Sequence, residues 1–213
     1  RMETLFRIED LIELYSIEKE IPFTEIKVEG LLEDRIDVVR VYGGDILNNC
    51  GYRERYNDVE IVFNCSWGGG YTLQEIYRVL GIRIVKTVIS YLKRYLLHER
   101  EYLMMILIDG TAVILEGDQN SITFPSVEGA LFIAHTHPRT HQPIFSRKDL
   151  IATLDVMSKR GIGSCIVAGE VLCILREKPL TLEDYEKFEY LINQFGVGER
   201  NIFDRAGFES VYI

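Results

Sequence analysis

The sequence has no apolar run of the roughly 18 residues that a membrane-spanning helix needs. Its first residues also lack the apolar core of a signal peptide, so we expect a soluble cytoplasmic protein that contacts no membrane. An excess of positive charge is missing too, because the formal net charge is −9. Nucleic-acid-binding domains normally carry a basic patch, so nucleic acid is not an expected partner.

Cysteine is scarce, and no two cysteines form a CxxC pair. The 4 cysteines therefore lack the spacing of a zinc ribbon. Cys165 and Cys173 flank a predicted hairpin turn and could lie opposite each other across it. Buried free thiols are nevertheless the interpretation that we favour for these residues.

The composition fits a globular protein, with 213 residues, 47% hydrophobic and 27% charged. A helical period over residues 3–18 precedes alternating stretches at 26–32, 36–42 and 59–63, and a glycine-rich break follows Trp67. We therefore expect an N-terminal β-rich region at residues 1–70, in which no motif indicates a chemistry.

Residues 71–213 read as a second domain of the α/β class. Thr72 and Glu75 form a capping box before a helix that runs to about Leu97. Asp109-Gly110 joins two apolar strands, as is typical of a hairpin. The remaining predicted elements are a strand ending in His-x-His, a helix at 146–159, a hairpin at 164–175, a helix from 181 or 183 to about 196, and a tail. This order predicts a sheet packed between helices.

The strand that ends in His135-Thr136-His137-Pro138 carries the clearest chemical signal. Successive side chains of a strand alternate between faces, so His135 and His137 point the same way and Thr136 points away. Pro138 has no N–H to donate and ends the strand. Two imidazoles on one rigid strand could bind a transition metal, although each could also be a polar residue that backbone groups satisfy.

A third ligand could come from the helix that follows. Ser146 begins this helix and Asp149 lies at the end of its first turn, which would add a carboxylate to two histidines and leave one position open, as in a catalytic zinc site. The same Ser-x-x-Asp spacing is also a capping pattern that needs no metal. His141 could replace Asp149 to give a three-histidine site, but we favour Asp149.

The HxHP strand end followed by SxxD resembles the motif of the JAMM (MPN+) zinc metalloproteases, of which the RadC-type proteins are a related branch. The resemblance covers about residues 72 to 196. It implies a JAMM/MPN-like mixed β-sheet between helices, with a cytidine-deaminase-like core. It also implies a Zn²⁺ cofactor held by His135, His137 and Asp149.

The resemblance further implies two catalytic residues. A glutamate at the start of an apolar strand serves in this family as the base that deprotonates the attacking water, and Glu101 matches that placement. Glu99 and Glu116 are the alternatives, and Glu101 could also be a solvated charge at a helix end. Ser146 would direct its hydroxyl at the developing oxyanion.

These residues lead us to expect a zinc-dependent hydrolase that cleaves an isopeptide or peptide bond. The family resemblance implies a protein substrate, and family members often remove ubiquitin or a ubiquitin-like modifier from lysine. The alternative is a non-catalytic MPN-type scaffold or binding module in a larger complex.

Overall fold

The computed structural model describes residues 1–16, 25–119, 121–123, 126–195 and 208–212. Within these ranges the chain has four α-helices and eleven β-strands in two mixed sheets, which confirms the α/β class. No helix in the described part of the chain is long and apolar enough to cross a membrane.

The first of two compact units spans Arg1–Leu80. Its elements are α1 (Met2–Tyr15), β1 (Lys27–Glu29), β2 (Val38–Tyr42), β3 (Arg53–Tyr56), β4 (Val59–Asn64) and β5 (Tyr71–Thr72). The strands pair in the order β3-β4-β2-β1-β5, and only β2 and β4 are parallel. Tyr15 of α1 meets Phe63 of β4 edge to face, with ring centroids 6.1 Å apart. The role of residues 1–70 as a separate region stays a prediction.

The second unit spans Gly81–Ile213 and carries the His-x-His strand. Its elements are most of α2 (Leu73–Leu92), then β6 (Tyr102–Leu107), β7 (Ala112–Glu116), β8 (Ala130–Thr136), α3 (Arg147–Ser158), β9 (Gly163–Val167), β10 (Val171–Arg176), α4 (Leu182–Phe195) and β11 (Phe208–Tyr212). The strand order is β11-β10-β9-β8-β6-β7. Only β8 and β9 are parallel, so the sheet is mixed, as predicted.

Strand β8 lies inside this sheet, and all seven of its residues are buried. A strand with neighbours on both sides and cover on both faces selects a continuous apolar run, which is what the sequence before His135 provides. In the antiparallel pairing with β6, His135 lies opposite Leu103. In the parallel pairing with β9, it lies opposite Ile166.

Helices α3 and α4 pack on the face of the sheet that carries His135. The core on this side is formed by buried apolar residues of both helices and of β9 and β10: Leu150, Leu154, Met157, Ile166, Leu172, Ile174, Phe188 and Ile192. On the opposite face, a Cβ built on Gly81 of α2 would lie 3.4 Å from Leu175 Cδ1. The packing of α3 and α4 on the sheet fixes the start of α3, and therefore Asp149, against the end of β8.

Two expectations from the sequence are wrong in detail. Helix α2 ends at Leu92 rather than near Leu97, and a 3-10 turn at Lys93–Tyr95 follows it. The expected tail contains β11, which is hydrogen-bonded along β10. Of the remaining tail residues, 197–207 and 213 lie outside the described part of the chain.

The cysteines also differ from expectation, since the structure pairs Cys165 with Cys173 and Cys50 with Cys65 as disulfides. Cys165 and Cys173 lie directly opposite each other in the β9–β10 pairing, which brings their side chains together on one face. Disulfides are uncommon in the cytoplasm outside hyperthermophiles. The cytoplasmic location therefore stays a prediction.

A glycine in β9 provides a test of how closely β9 approaches β10. Gly163 has φ +145°, and a Cβ there would overlap the carbonyl oxygen of Ile174. We expect Gly163→Ala to lower the free energy of unfolding by about 2 kcal/mol or more, because both the backbone and the neighbouring strand must shift. Chemical denaturation is the measurement.

Gly81→Ala is the matched control, since its new methyl group would make an ordinary contact with Leu175. Alanine is the better helix former, so this variant should match the wild type or gain up to about 1 kcal/mol. Equal loss of stability in both variants would contradict the close approach of β9 and β10.

Candidate metal centre

Three side chains converge at the end of β8 with donor atoms suited to a metal ion. His135 Nε2 lies 3.1 Å from His137 Nε2 and 3.6 Å from Asp149 Oδ1. All three ligand atoms lie within 4.8 Å of one another. Ligands about 2.0–2.2 Å from a tetrahedral ion are roughly 3.3–3.6 Å apart. Both distances from His135 Nε2 are close to this range, so the group could hold one metal ion.

The pairing of β8 with its neighbours explains why both histidines face the same side. His137 continues the ladder, because its N–H donates to Val167 O at 2.9 Å. Thr136 faces away, as expected: its Oγ1 accepts from Tyr102 N at 2.9 Å. The two imidazoles therefore lie on the face covered by α3, where a helix can bring a third ligand.

The two carboxylate oxygens of Asp149 have different partners: one caps helix α3 and the other faces His135. Its Oδ2 accepts a hydrogen bond from Ser146 N at 2.7 Å, while Ser146 Oγ accepts from Asp149 N at 3.3 Å. This is the capping box that the sequence offered as an alternative to a metal ligand. Because Oδ1 faces His135 instead, the cap and the ligand interpretations are compatible.

Burial keeps the imidazoles neutral and therefore available as ligands. It lowers the pKa of His135, of which 8% is exposed, to about 4. Burial also lowers the pKa of His137. The negative charge of Asp149 opposes this effect at both residues but does not outweigh it. A neutral imidazole offers a free nitrogen lone pair without first losing a proton.

Glu101 is a buried carboxyl group beside these ligands, with 8% of its surface exposed. It comes just before β6, and continuing the Leu103–His135 register by two residues sets it opposite His137. Burial, together with the charge of Asp149, raises its pKa to about 7. A carboxyl group with this pKa can accept and release protons near neutral pH.

The other two candidate glutamates lie elsewhere. Glu99 is exposed. Glu116 is exposed at the end of β7, where it accepts a hydrogen bond from Arg100 at 2.9 Å. Among the described residues that line the cleft at the metal site, Glu101 is present and these two are not.

The cleft has a volume of about 370 Å³ and contains all five predicted site residues. His141 also lines it, but the group of converging donor atoms includes Asp149 and not His141. Its wall further includes the loop residues Ser121, Ile122 and Thr123, and Lys148 of α3. We predicted no role for these four residues. Ser121, Ile122 and Thr123 belong to no motif and only the folded chain brings them to the site, whereas Lys148 occupies an unspecified position of the SxxD motif.

In comparisons with known proteins, no family model, no curated protein and no solved structure matches this chain. The JAMM resemblance therefore stays a prediction based on the residues themselves. The metal centre has separate support in the distances between the three ligand atoms.

Metal content tests the ligand set. We expect about one zinc ion per chain after purification without chelator, and its loss in His135→Ala, His137→Ala and Asp149→Ala. Asp149→Asn should retain the helix cap, since an amide oxygen can also accept, but should lose most of the affinity. Elemental analysis with circular dichroism measures both effects.

His141→Ala is the control and should retain the metal, because its side chain is not among the converging donors. Loss of zinc in His141→Ala together with retention in Asp149→Ala would instead indicate a three-histidine site.

The raised pKa of Glu101 predicts a pH-dependent stability in the metal-free protein. The unfolded chain loses this proton near the ordinary pKa of 4.5, whereas the folded chain holds it to about 7. Raising the pH through this window therefore destabilises the folded state, and Glu101→Gln should remove that effect. As the pH rises from about 4 to about 8, the free energy of unfolding of the variant should increase relative to that of the wild type by on the order of 2–3 kcal/mol.

Chemical denaturation in chelator at several pH values provides the measurement. His135 and His137 are present in both proteins, so their own titration cancels in the comparison. A constant difference in stability across this range would show that Glu101 titrates normally.

Proposed function

We propose that this protein is a zinc-dependent hydrolase of the JAMM type that cleaves an isopeptide or peptide bond. The observation that carries the proposal is the convergence of His135, His137 and Asp149 in one cleft with the buried carboxyl group of Glu101. Two imidazoles and one carboxylate, with a fourth position left open, form a ligand set typical of a catalytic zinc ion. We further propose that the mixed sheet of the second unit has the JAMM/MPN-like, cytidine-deaminase-like arrangement.

Glu101 is the proposed general base. When bound, zinc polarises the substrate carbonyl and makes water more acidic. Glu101 accepts the proton of the attacking water and then donates it to the leaving amine. Its burial supports this role, because a carboxyl group with a pKa of about 7 can hold a proton between the two steps.

Ser146 is the proposed hydrogen-bond donor to the oxyanion. Its Oγ accepts from Asp149 N at 3.3 Å, and this bond uses only a lone pair of the hydroxyl oxygen. The hydroxyl hydrogen therefore stays available for a substrate in the cleft that Ser146 lines. A donor fixed by a helix cap needs little reorganisation when negative charge develops on the carbonyl oxygen.

A protein substrate fits the proposal better than a small molecule, on the basis of the family resemblance alone. The substrate class that we propose is a lysine-linked conjugate or linear fusion of a ubiquitin-like modifier. The ligand residues also suit other transition metals, and our choice of zinc follows from the mixed imidazole and carboxylate set.

Substitution of the proposed base tests the reaction. Glu101→Gln should retain zinc and the fold, because the amide is nearly isosteric, but turnover should fall by ~10²-fold or more. Ser146→Ala should reduce turnover by a similar or smaller factor. Cleavage of ubiquitin-like fusions and lysine-linked conjugates is the assay, with zinc measured in the same samples.

Glu116→Gln is the matched control, since its carboxylate pairs with Arg100 and does not line the cleft. Full turnover in Glu101→Gln would reject this residue as the base and make Glu99→Gln the next substitution, and a loss of turnover in Glu116→Gln would instead identify Glu116 as the base. A zinc-loaded wild type that cleaves none of these substrates would favour the non-catalytic scaffold.

A further inference from the structure

A buried pair of hydroxyl groups connects helix α3 to strand β9 behind the metal centre. Thr153 Oγ1 lies 2.5 Å from Ser164 Oγ, and Thr153 Oγ1 also donates to Asp149 O at 2.7 Å. Thr153 is 0% exposed and Ser164 is 3% exposed, so water does not compete for these bonds. Asp149, the proposed carboxylate ligand, is therefore hydrogen-bonded through its main chain to this pair.

The direction of the hydrogen bonds follows from the number of hydrogens. Each hydroxyl carries one hydrogen, and that of Thr153 is donated to the carbonyl oxygen of Asp149, which has none to give. Ser164 must then donate to Thr153. The result is a chain that runs from Ser164 through Thr153 to Asp149 and satisfies both buried hydroxyl groups.

The position of Ser164 relates this chain to the histidine ligands. Ser164 lies opposite Ile133 of β8 in the parallel pairing. His135 follows Ile133 by two residues and shares its face of the strand. One end of the hydrogen-bond chain is therefore fixed to the sheet that carries the histidines, and the other end is fixed to the residue that supplies the carboxylate.

A polar residue at position 153 is unexpected from packing alone. The other four buried residues of α3 are apolar: Leu150, Leu154, Val156 and Met157. Valine has nearly the shape of threonine and could fill the same space without needing a partner. Apolar contacts have no preferred direction, whereas a hydrogen bond restricts both distance and angle. The hydroxyl pair therefore restricts how far α3 can slide or rotate over β9.

We infer that Thr153 and Ser164 are positioning residues that set the distance between Asp149 and the two histidines. This inference rests on the proposed metal site. Residues that orient a ligand typically change metal affinity by about 10–100-fold when they are replaced. Neither residue contacts the metal or the substrate, and both act through the backbone of Asp149.

The test is the affinity of the purified full chain for Zn²⁺ and Co²⁺, measured by competition with a chelator. Thr153→Val and Ser164→Ala should each weaken binding by ~10-fold or more. The double variant should lose no more metal affinity than the weaker-binding single variant, because both substitutions break the same chain of hydrogen bonds. Thr153→Ser retains a hydroxyl and should bind within about threefold of the wild type.

Thr136→Val is the matched control. It also removes a buried, hydrogen-bonded threonine hydroxyl close to the ligands, but this hydroxyl lies on the other face of β8 and bonds to Tyr102 N. It should lower thermal stability and leave metal affinity within about twofold. The visible spectrum of bound Co²⁺, which reports ligand geometry, should change in Thr153→Val and Ser164→Ala but not in Thr136→Val.

The possible outcomes distinguish the proposed metal site from the proposed positioning role of Thr153 and Ser164. Wild-type affinity and an unchanged cobalt spectrum in Thr153→Val and Ser164→Ala would overturn the positioning role and leave the metal site intact. A wild type that binds neither ion would overturn both. If Thr153→Val does not fold, Ser164→Ala and Thr153→Ser test the same hydrogen bond, and an equal loss of affinity in Thr136→Val would also overturn the inference.

Discussion

The alternation of side chains along β8 is the constraint on which the candidate site depends. This strand pairs antiparallel with β6 and parallel with β9, so a shift of one residue would break both pairings. The same shift would turn His135 and His137 toward the opposite face, away from α3. Strand pairing thus determines which side chains meet at the end of β8, because Glu101 and Ser164 lie on the neighbouring strands or their extensions.

The location of the site also reduces the cost of burying polar groups. The histidines lie at the end of β8, just before Pro138, and the cleft opens there to solvent. A carboxylate deep in the apolar layer between α3 and the sheet would lose its hydration without full compensation. Asp149 avoids this cost, since it lies in the first turn of α3, where the helix cap supplies a hydrogen bond to one oxygen. Glu101 is more buried, and its raised pKa reflects that environment.

The sequence predicted the elements with a long and regular pattern. The capping boxes at Thr72 and Ser146 both form, and the apolar strands β6, β8, β9 and β10 lie where the period-two and continuous patterns indicated. Short strands were missed, because β3 reads Arg-Glu-Arg-Tyr and β5 has two residues, so neither carries an apolar pattern. Strand β11 depends on backbone hydrogen bonds to β10, which no sequence period reveals.

The site was predicted in part for the same reason. His135, His137 and Asp149 belong to a motif whose spacing has a geometric meaning. Thr153 and Ser164 carry no metal-ligating or catalytic group that a spacing could single out, and they meet only because α3 packs on β9. The disulfide between Cys165 and Cys173 likewise depends on the register of β9 and β10, which the sequence left open.

The capping box at Ser146 has a consequence for the kinetics of metal exchange at the proposed site. Because the cap orders Asp149 by bonds within the protein, the ligand is preorganised before an ion arrives. Binding then requires no coupled folding of the helix, in contrast to small zinc domains that unfold without their metal. An ion can enter and leave through the open cleft while α3 stays intact, so the rate of exchange reflects the strength of coordination rather than the rate of local unfolding.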